Sequence, residues 1–100
     1  MRPIHLAQLD KTRPAVILTR ELARPHLSRV TVATITSTVH GLSTEVPVGH
    51  RNGLDHECVI NCDNIQTVPS SSVGRHLGFL LPDQELALAD AIAAAFALDL

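Results

Sequence analysis

Val30-Thr31-Val32-Ala33-Thr34-Ile35-Thr36 is a run of seven residues broken only at Ala33 by a side chain that is not β-branched. Branched side chains lose little freedom on a pleated surface and pack well there, so this run predicts a strand. Upstream, Ile4 to Leu9 (IHLAQL) predicts a first strand, Asp10 to Pro14 supplies turn chemistry, and Ala15 to Thr19 (AVILT) reads as a short buried strand. These two form a hairpin. Arg20 to Ser28 contains Pro25 and reads as a loop with at most one helical turn.

Downstream, Gly41-Leu42-Ser43 is a turn and Glu45 to Val48 (EVPV) a short strand, which Pro47 confines to a sheet edge or a bulge. Asn52-Gly53 marks another turn. Cys58 to Asn61 and Asn64 to Val68 read as two strands around Cys62-Asp63, and Arg75 to Leu80 as a last one. From Pro82 the period changes: Leu88, Ala89, Ile92, Ala95 and Phe96 fall on one helical face. Pro82 suits a first helical turn, where Asp83 and Glu85 favour the dipole. The expected fold is therefore mainly β with a C-terminal α-helix, a small barrel-like sheet of about seven strands in a single domain spanning 1–100.

The chain has 100 residues, 45% of them hydrophobic, and its only aromatics of the Phe, Trp and Tyr set are Phe79 and Phe96. A core of Val, Ile, Leu and Ala buries less area per residue, so extra burial in a homodimer would help stability. No apolar stretch approaches the roughly 20 residues that span a bilayer, which leads to the expectation of a cytoplasmic protein without a membrane partner. Cys58 and Cys62, on one extended strand, would place their α-carbons roughly 13 Å apart, too far for a disulfide.

Net charge is −2, but residues 1 to 80 carry all eight Lys and Arg against six acids, a balance of +2. A mildly basic body with an acidic C-terminal element can still present cations to a polyanion. The six histidines are scattered and Cys58-x-x-x-Cys62 lacks the close spacing of a zinc site, so neither metal nor cofactor is expected. A signature around a serine and a Walker-type phosphate loop are both missing, which leaves acyl transfer and nucleotide hydrolysis without support.

What remains is Lys11-Thr12-Arg13-Pro14 ahead of AVILT, then Ile35-Thr36-Ser37, then Asp63-Asn64-Ile65-Gln66-Thr67-Val68 and the helix. Taken singly, Arg13 is a turn residue and the threonines are strand formers. In this order, the elements resemble the MazF/PemK-like toxins along most of the chain. Lys11 to Leu18 follows the family's K-x-R-P-x-V-[IV]-[LV] pattern and Ile35-Thr36-Ser37 its I-T-S element. Residues 63–68 follow D-Q-[IV]-[RK]-[ST]-[IV], with Asn64 in place of Gln and Gln66 in place of a basic residue. The loop between the first two strands is shorter than in the family.

The resemblance implies an SH3-like small barrel of the MazF/CcdB-like type. It also implies the toxin of a type II toxin–antitoxin system, a homodimeric endoribonuclease that needs no metal. In that chemistry a ribose 2′-hydroxyl attacks the adjacent phosphodiester, leaving 2′,3′-cyclic phosphate and 5′-hydroxyl ends and inhibiting translation. Arg13 and Thr36 become the expected catalytic pair, Lys11, Ser37, Asn64 and Gln66 the RNA-binding residues, and an acidic MazE-like antitoxin the partner. Two alternatives stand beside it: a non-catalytic SH3-like module binding RNA or peptide, and a gyrase-targeting toxin of the CcdB type. Such binding modules use aromatic platforms, which two phenylalanines supply poorly.

Overall fold

The computed structural model describes residues 1–99. Its elements, in chain order, are strands β1 (Pro3–Gln8), β2 (Thr12–Ile17), β3 (Arg29–Thr36), β4 (Glu45–Val48), β5 (Cys58–Pro69) and β6 (Val73–Phe79), and helix α1 (Pro82–Ala95). The strands form one antiparallel sheet in the order β4-β5-β3-β2-β1-β6. Mainly β architecture with one C-terminal helix is thus what the residues foretold.

Three details differ. The strands among the described residues number six, because Cys58–Asn61 and Asn64–Val68 belong to one continuous β5. Their apparent interruption is a bulge: Ala33 pairs with Ile65 and the adjoining Thr34 with Asn61, so Cys62, Asp63 and Asn64 are extra on β5. β2 starts at Thr12 rather than Ala15 and stops at Ile17, while β6 begins two residues early, at Val73. On α1, Leu88 is buried and Ile92 packs against the core, but Ala89 and Phe96 are exposed; Gln84 and Ala91 are buried instead.

The core lies in two clusters on opposite faces of the sheet. Ile4, Val16, Ala33, Ile35, Ile60 and Leu88 belong to the first, which α1 covers. The second holds Ala7, Ala15, Ile17, Val30, Val32 and Val68. Pro47 sits on β4, which pairs only with β5, so its missing amide hydrogen costs no ladder bond.

The sheet curls until its two edges nearly meet. After β4 the chain makes a 3-10 turn over His50–Asn52, and Gly53 follows with φ +83°. Here the backbones of Gly53 and Gly78 approach so closely that a Cβ on Gly78 would lie 2.1 Å from the Asn52 carbonyl oxygen. Only glycine permits this contact between the β4 end and β6.

The buried Asn52 locks the closure. Its Nδ2 donates to the Phe79 carbonyl (2.9 Å) and to Gln84 Oε1 (2.6 Å), while its Oδ1 accepts from the Gly49 amide (3.0 Å) and from Gln84 Nε2 (3.0 Å). Gln84 Oε1 also accepts from the Leu81 amide at 3.0 Å, replacing a side-chain cap at the start of α1. This amide pair ties turn, edge strand and helix together, which is why a polar residue occupies the buried helical position. Arg2 adds an outer tie, with Nε and Nη2 both on Glu85 Oε1 and Nη1 donating to the Leu18 carbonyl at 2.8 Å. No helix among the described residues is long and apolar enough to cross a membrane.

Candidate active site

Pairing of β2 with β3 runs only over Ala15–Ile17, and Pro14, with no amide hydrogen to donate, sits where that ladder stops. Ala15 faces Thr34 across it. Two residues back on β2 and two on along β3, Arg13 and Thr36 share one face of the sheet at one level, beyond the end of the ladder. On the same face, the apolar row Val30–Val32 gives way to Thr34 and Thr36. The second core cluster thus ends in a polar margin.

The β5 bulge supplies the opposite wall. Asp63 is fixed by the Thr44 hydroxyl (2.7 Å), and its amide donates to Asn61 Oδ1 at 3.0 Å. Cys62 donates its amide to the Thr44 carbonyl at 2.9 Å. The result is a small cleft of about 170 Å³ lined by Asp10, Arg13, Thr34, Thr36, Thr38, His40, Asn61 and Asn64. A larger cleft of about 460 Å³ lies elsewhere, along Arg2, Arg20, Leu80, Leu81 and Glu85. Its main ion pair, Arg2 with Glu85, is already satisfied within the protein.

Inside the small cleft, Asp10 holds Arg13 in a two-pronged grip, Nε to Oδ1 at 2.8 Å and Nη2 to Oδ2 at 3.0 Å. The grip holds the Asp10 carboxyl down at about 2 and pushes the Arg13 guanidinium still higher. Neither group exchanges a proton near neutrality. A guanidinium carries five N–H donors, so three remain for an anion in the cleft. Thr36 Oγ1 accepts the Thr38 amide at 3.2 Å, which leaves its own hydroxyl proton free to donate. Thr34 is 3% exposed, and its Oγ1 is buried without a partner among the described residues.

The chain beyond Thr38 is held over the cleft by Glu45. Its carboxylate accepts the amides of His40 (3.2 Å) and Leu42 (3.0 Å), bonds that keep it ionised below its usual range. His40 is thereby fixed at the rim, exposed and lining the cleft.

Of the residues singled out from sequence, Arg13, Thr36 and Asn64 come together. Gln66 stands beside them, its Nε2 donating to Asn64 Oδ1 at 3.3 Å, without lining the cleft. Lys11 is exposed at the turn and Ser37, next after Thr36, is exposed outside it. Asp10, Thr34, Thr38, His40 and Asn61 join unforeseen. Thr34 and Thr38 carry a signal, since they share the parity of Thr36. Asp10 stands three residues before Arg13. His40 and Asn61 depend on the loop and on the bulge.

The family model described as PemK-like, MazF-like toxin of type II toxin–antitoxin system matches residues 3–96. A Mycobacterium tuberculosis protein named Endoribonuclease MazF3 is 63% identical over 99 residues, covering 99% of this chain and 96% of that one. The solved structure of Mycobacterium tuberculosis toxin MazF-mt6 superposes with a TM-score of 0.97 at 62% identity, over 99% of this chain and 100% of that one. A mycobacterial endoribonuclease solved in complex with its cognate antitoxin shares the fold, with a TM-score of 0.85 at 24% identity over 98% of this chain and 94% of that one.

Proposed function

The chain belongs to the PemK-like, MazF-like toxins of type II toxin–antitoxin systems, a family of endoribonucleases, and from that premise we propose how it cleaves RNA. Arg13 and Thr36 act on a phosphodiester bound in the small cleft. A 2′-oxygen attacks phosphorus, the bond to the 5′-oxygen breaks, and the strand ends in a 2′,3′-cyclic phosphate and a 5′-hydroxyl. Negative charge grows on the non-bridging oxygens as the 2′-oxygen adds. The free N–H groups of Arg13 meet that charge with strong, directional hydrogen bonds. The Thr36 hydroxyl, its oxygen already engaged by Thr38, donates from a rigid strand and adds a preorganised dipole.

Asn64 and Gln66, joined through their amides on the bulged strand, offer donors and acceptors for a neighbouring base. Lys11 and Ser37, both exposed and outside the cleft lining, contact the RNA backbone. The protein works as a homodimer in the cytoplasm, where its cleavage of RNA inhibits translation and an acidic MazE-like antitoxin silences it by covering the cleft. The observation that carries this reading is the meeting of Arg13 and Thr36 in one cleft of a chain of this family.

Purified protein incubated with a mixed RNA pool in EDTA, followed by end mapping, tests it. Cleavage giving 5′-hydroxyl ends, lost in Arg13→Ala and Thr36→Ala, is the expected result. Intact RNA, or cleavage only with added Mg²⁺, would overturn it.

A further inference from the structure

Breaking the P–O5′ bond releases an alkoxide, the most basic species in the reaction, and it needs a proton as it leaves. Three of the eight side chains lining the cleft are ionisable: Asp10, Arg13 and His40. Asp10 is an unprotonated carboxylate at neutral pH and has no proton to give. Arg13 gives its protons up only far above neutrality, and the grip of Asp10 moves it further that way. Imidazole is the side-chain type that changes charge nearest neutral pH, and so both holds a proton and releases it.

Position supports the same residue. His40 lies at the rim of the cleft, four residues beyond Thr36, on a segment fastened at two places. At one, Thr36 Oγ1 takes the Thr38 amide; at the other, Glu45 takes the amides of His40 and Leu42. These bonds fix the backbone that carries the ring while leaving the ring exposed. The charged groups near it are Glu45 on β4 and Asp10 and Arg13 from the β1–β2 hairpin.

We propose that His40 is the general acid of the cleavage, donating an imidazolium proton to the departing 5′-oxygen while Arg13 and Thr36 stabilise the charge on phosphorus. The inference rests on the ribonuclease reading above. The balance is simple: the bond from O2′ to phosphorus forms, the bond to O5′ breaks, and the proton from His40 ends on the 5′-hydroxyl. The 2′-hydroxyl proton passes to solvent.

The test uses the full chain in EDTA and two versions of an RNA that it cuts, with ordinary oxygen or with sulfur at the bridging 5′ position of the scissile phosphate. A thiolate leaves without protonation, so loss of a general acid does not slow the sulfur substrate. His40→Gln should cut the oxygen substrate on the order of 100-fold more slowly, within the range for a lost general acid. It should cut the sulfur substrate within a few fold of the wild type. The fall of wild-type kcat/KM at alkaline pH should also vanish in the variant. Because His40 is exposed, the melting temperature should not move, which separates lost chemistry from lost fold. Equal slowing on both substrates, or no slowing, would overturn the role of His40 while leaving the ribonuclease reading intact. A wild-type protein that cuts neither substrate would overturn both.

Discussion

Asp10 and Arg13, three residues apart on the β1–β2 hairpin, form a two-pronged ion pair at 2.8 and 3.0 Å that turns the guanidinium into the cleft beside Thr36. Two of five guanidinium donors are spent on orientation, and the other three stay available. In the proposed mechanism Asp10 thus acts as a positioning residue, through Arg13. Removing it frees the fork to rotate while also taking a negative charge from the RNA surface. Asp10→Ala should lower kcat about tenfold with no rise in KM, a split that steady-state cleavage kinetics resolves. An unchanged kcat would show that Arg13 needs no such hold.

Thr34 presents the opposite situation. Its hydroxyl is buried at the cleft floor with no partner among the described residues, and an unsatisfied buried polar group costs about 1–3 kcal/mol. Valine has the same shape without that cost. Thr34→Val should stabilise the fold by about 1 kcal/mol, which for a domain of this size raises Tm by roughly 4–8 °C in a thermal melt. A lower Tm would mean that the hydroxyl is satisfied after all.

The Asn52–Gln84 amide pair carries the closure of the sheet onto the helix. Truncating Asn52 strips partners from Gln84, the Gly49 amide and the Phe79 carbonyl at once. Asn52→Ala should cost about 2–4 kcal/mol in urea unfolding. Gln84→Ala on top of it should cost much less than it does alone, since the two residues act as one unit. Strict additivity would contradict their coupling.

Stability should depend on pH at both ends. Asp10 is held down at about 2 by Arg13, and Asp83 is lowered first by Arg51, Asp55 by His56 and Glu45 by the Leu42 amide. Carboxyls lowered in the fold contribute stability that is present above their ordinary values, 3.8 for Asp and 4.5 for Glu, and lost as pH falls towards about 2. At the other end, burial, with Asp63 adding to it, pushes the Cys62 thiol up from 9.0 to about 11. Its contribution is complete below 9.0 and lost as pH rises through about 11. Melting temperature against pH should thus fall on both sides of a plateau from about 5 to 9, and a Tm unmoved between pH 4 and 2 would contradict the acid limb.

Local chemistry made much of this fold legible. The β-branched run 30–36 is β3, Pro47 marks the edge strand, and Pro82 opens the helix. Where the reading differed, a long-range pairing decided. Cys62-Asp63 reads locally as a break between two strands, but β3 carries one strand across it and turns it into a bulge. Gln84 looks like a surface residue until Asn52, far away in sequence, gives its amide a partner. The meeting of Arg13 and Thr36 in one cleft was legible because they sit in motifs on adjacent strands. The rest of the cleft was hidden: Asn61 turns inward only through the bulge, and His40 arrives only because Glu45 gathers the amides of its loop.

In the proposed reaction the 2′-hydroxyl at the scissile linkage does the attack, with Arg13 and Thr36 stabilising the charge that builds on phosphorus. Once end mapping has located a cut, the most direct measurement is cleavage of that oligonucleotide carrying a single 2′-deoxyribose on the 5′ side of the scissile phosphate. This strand should stay intact at the modified linkage while the all-ribose strand is cut, in EDTA, to 2′,3′-cyclic phosphate and 5′-hydroxyl ends. Cleavage of the deoxy-substituted linkage would rule out attack by the 2′-hydroxyl.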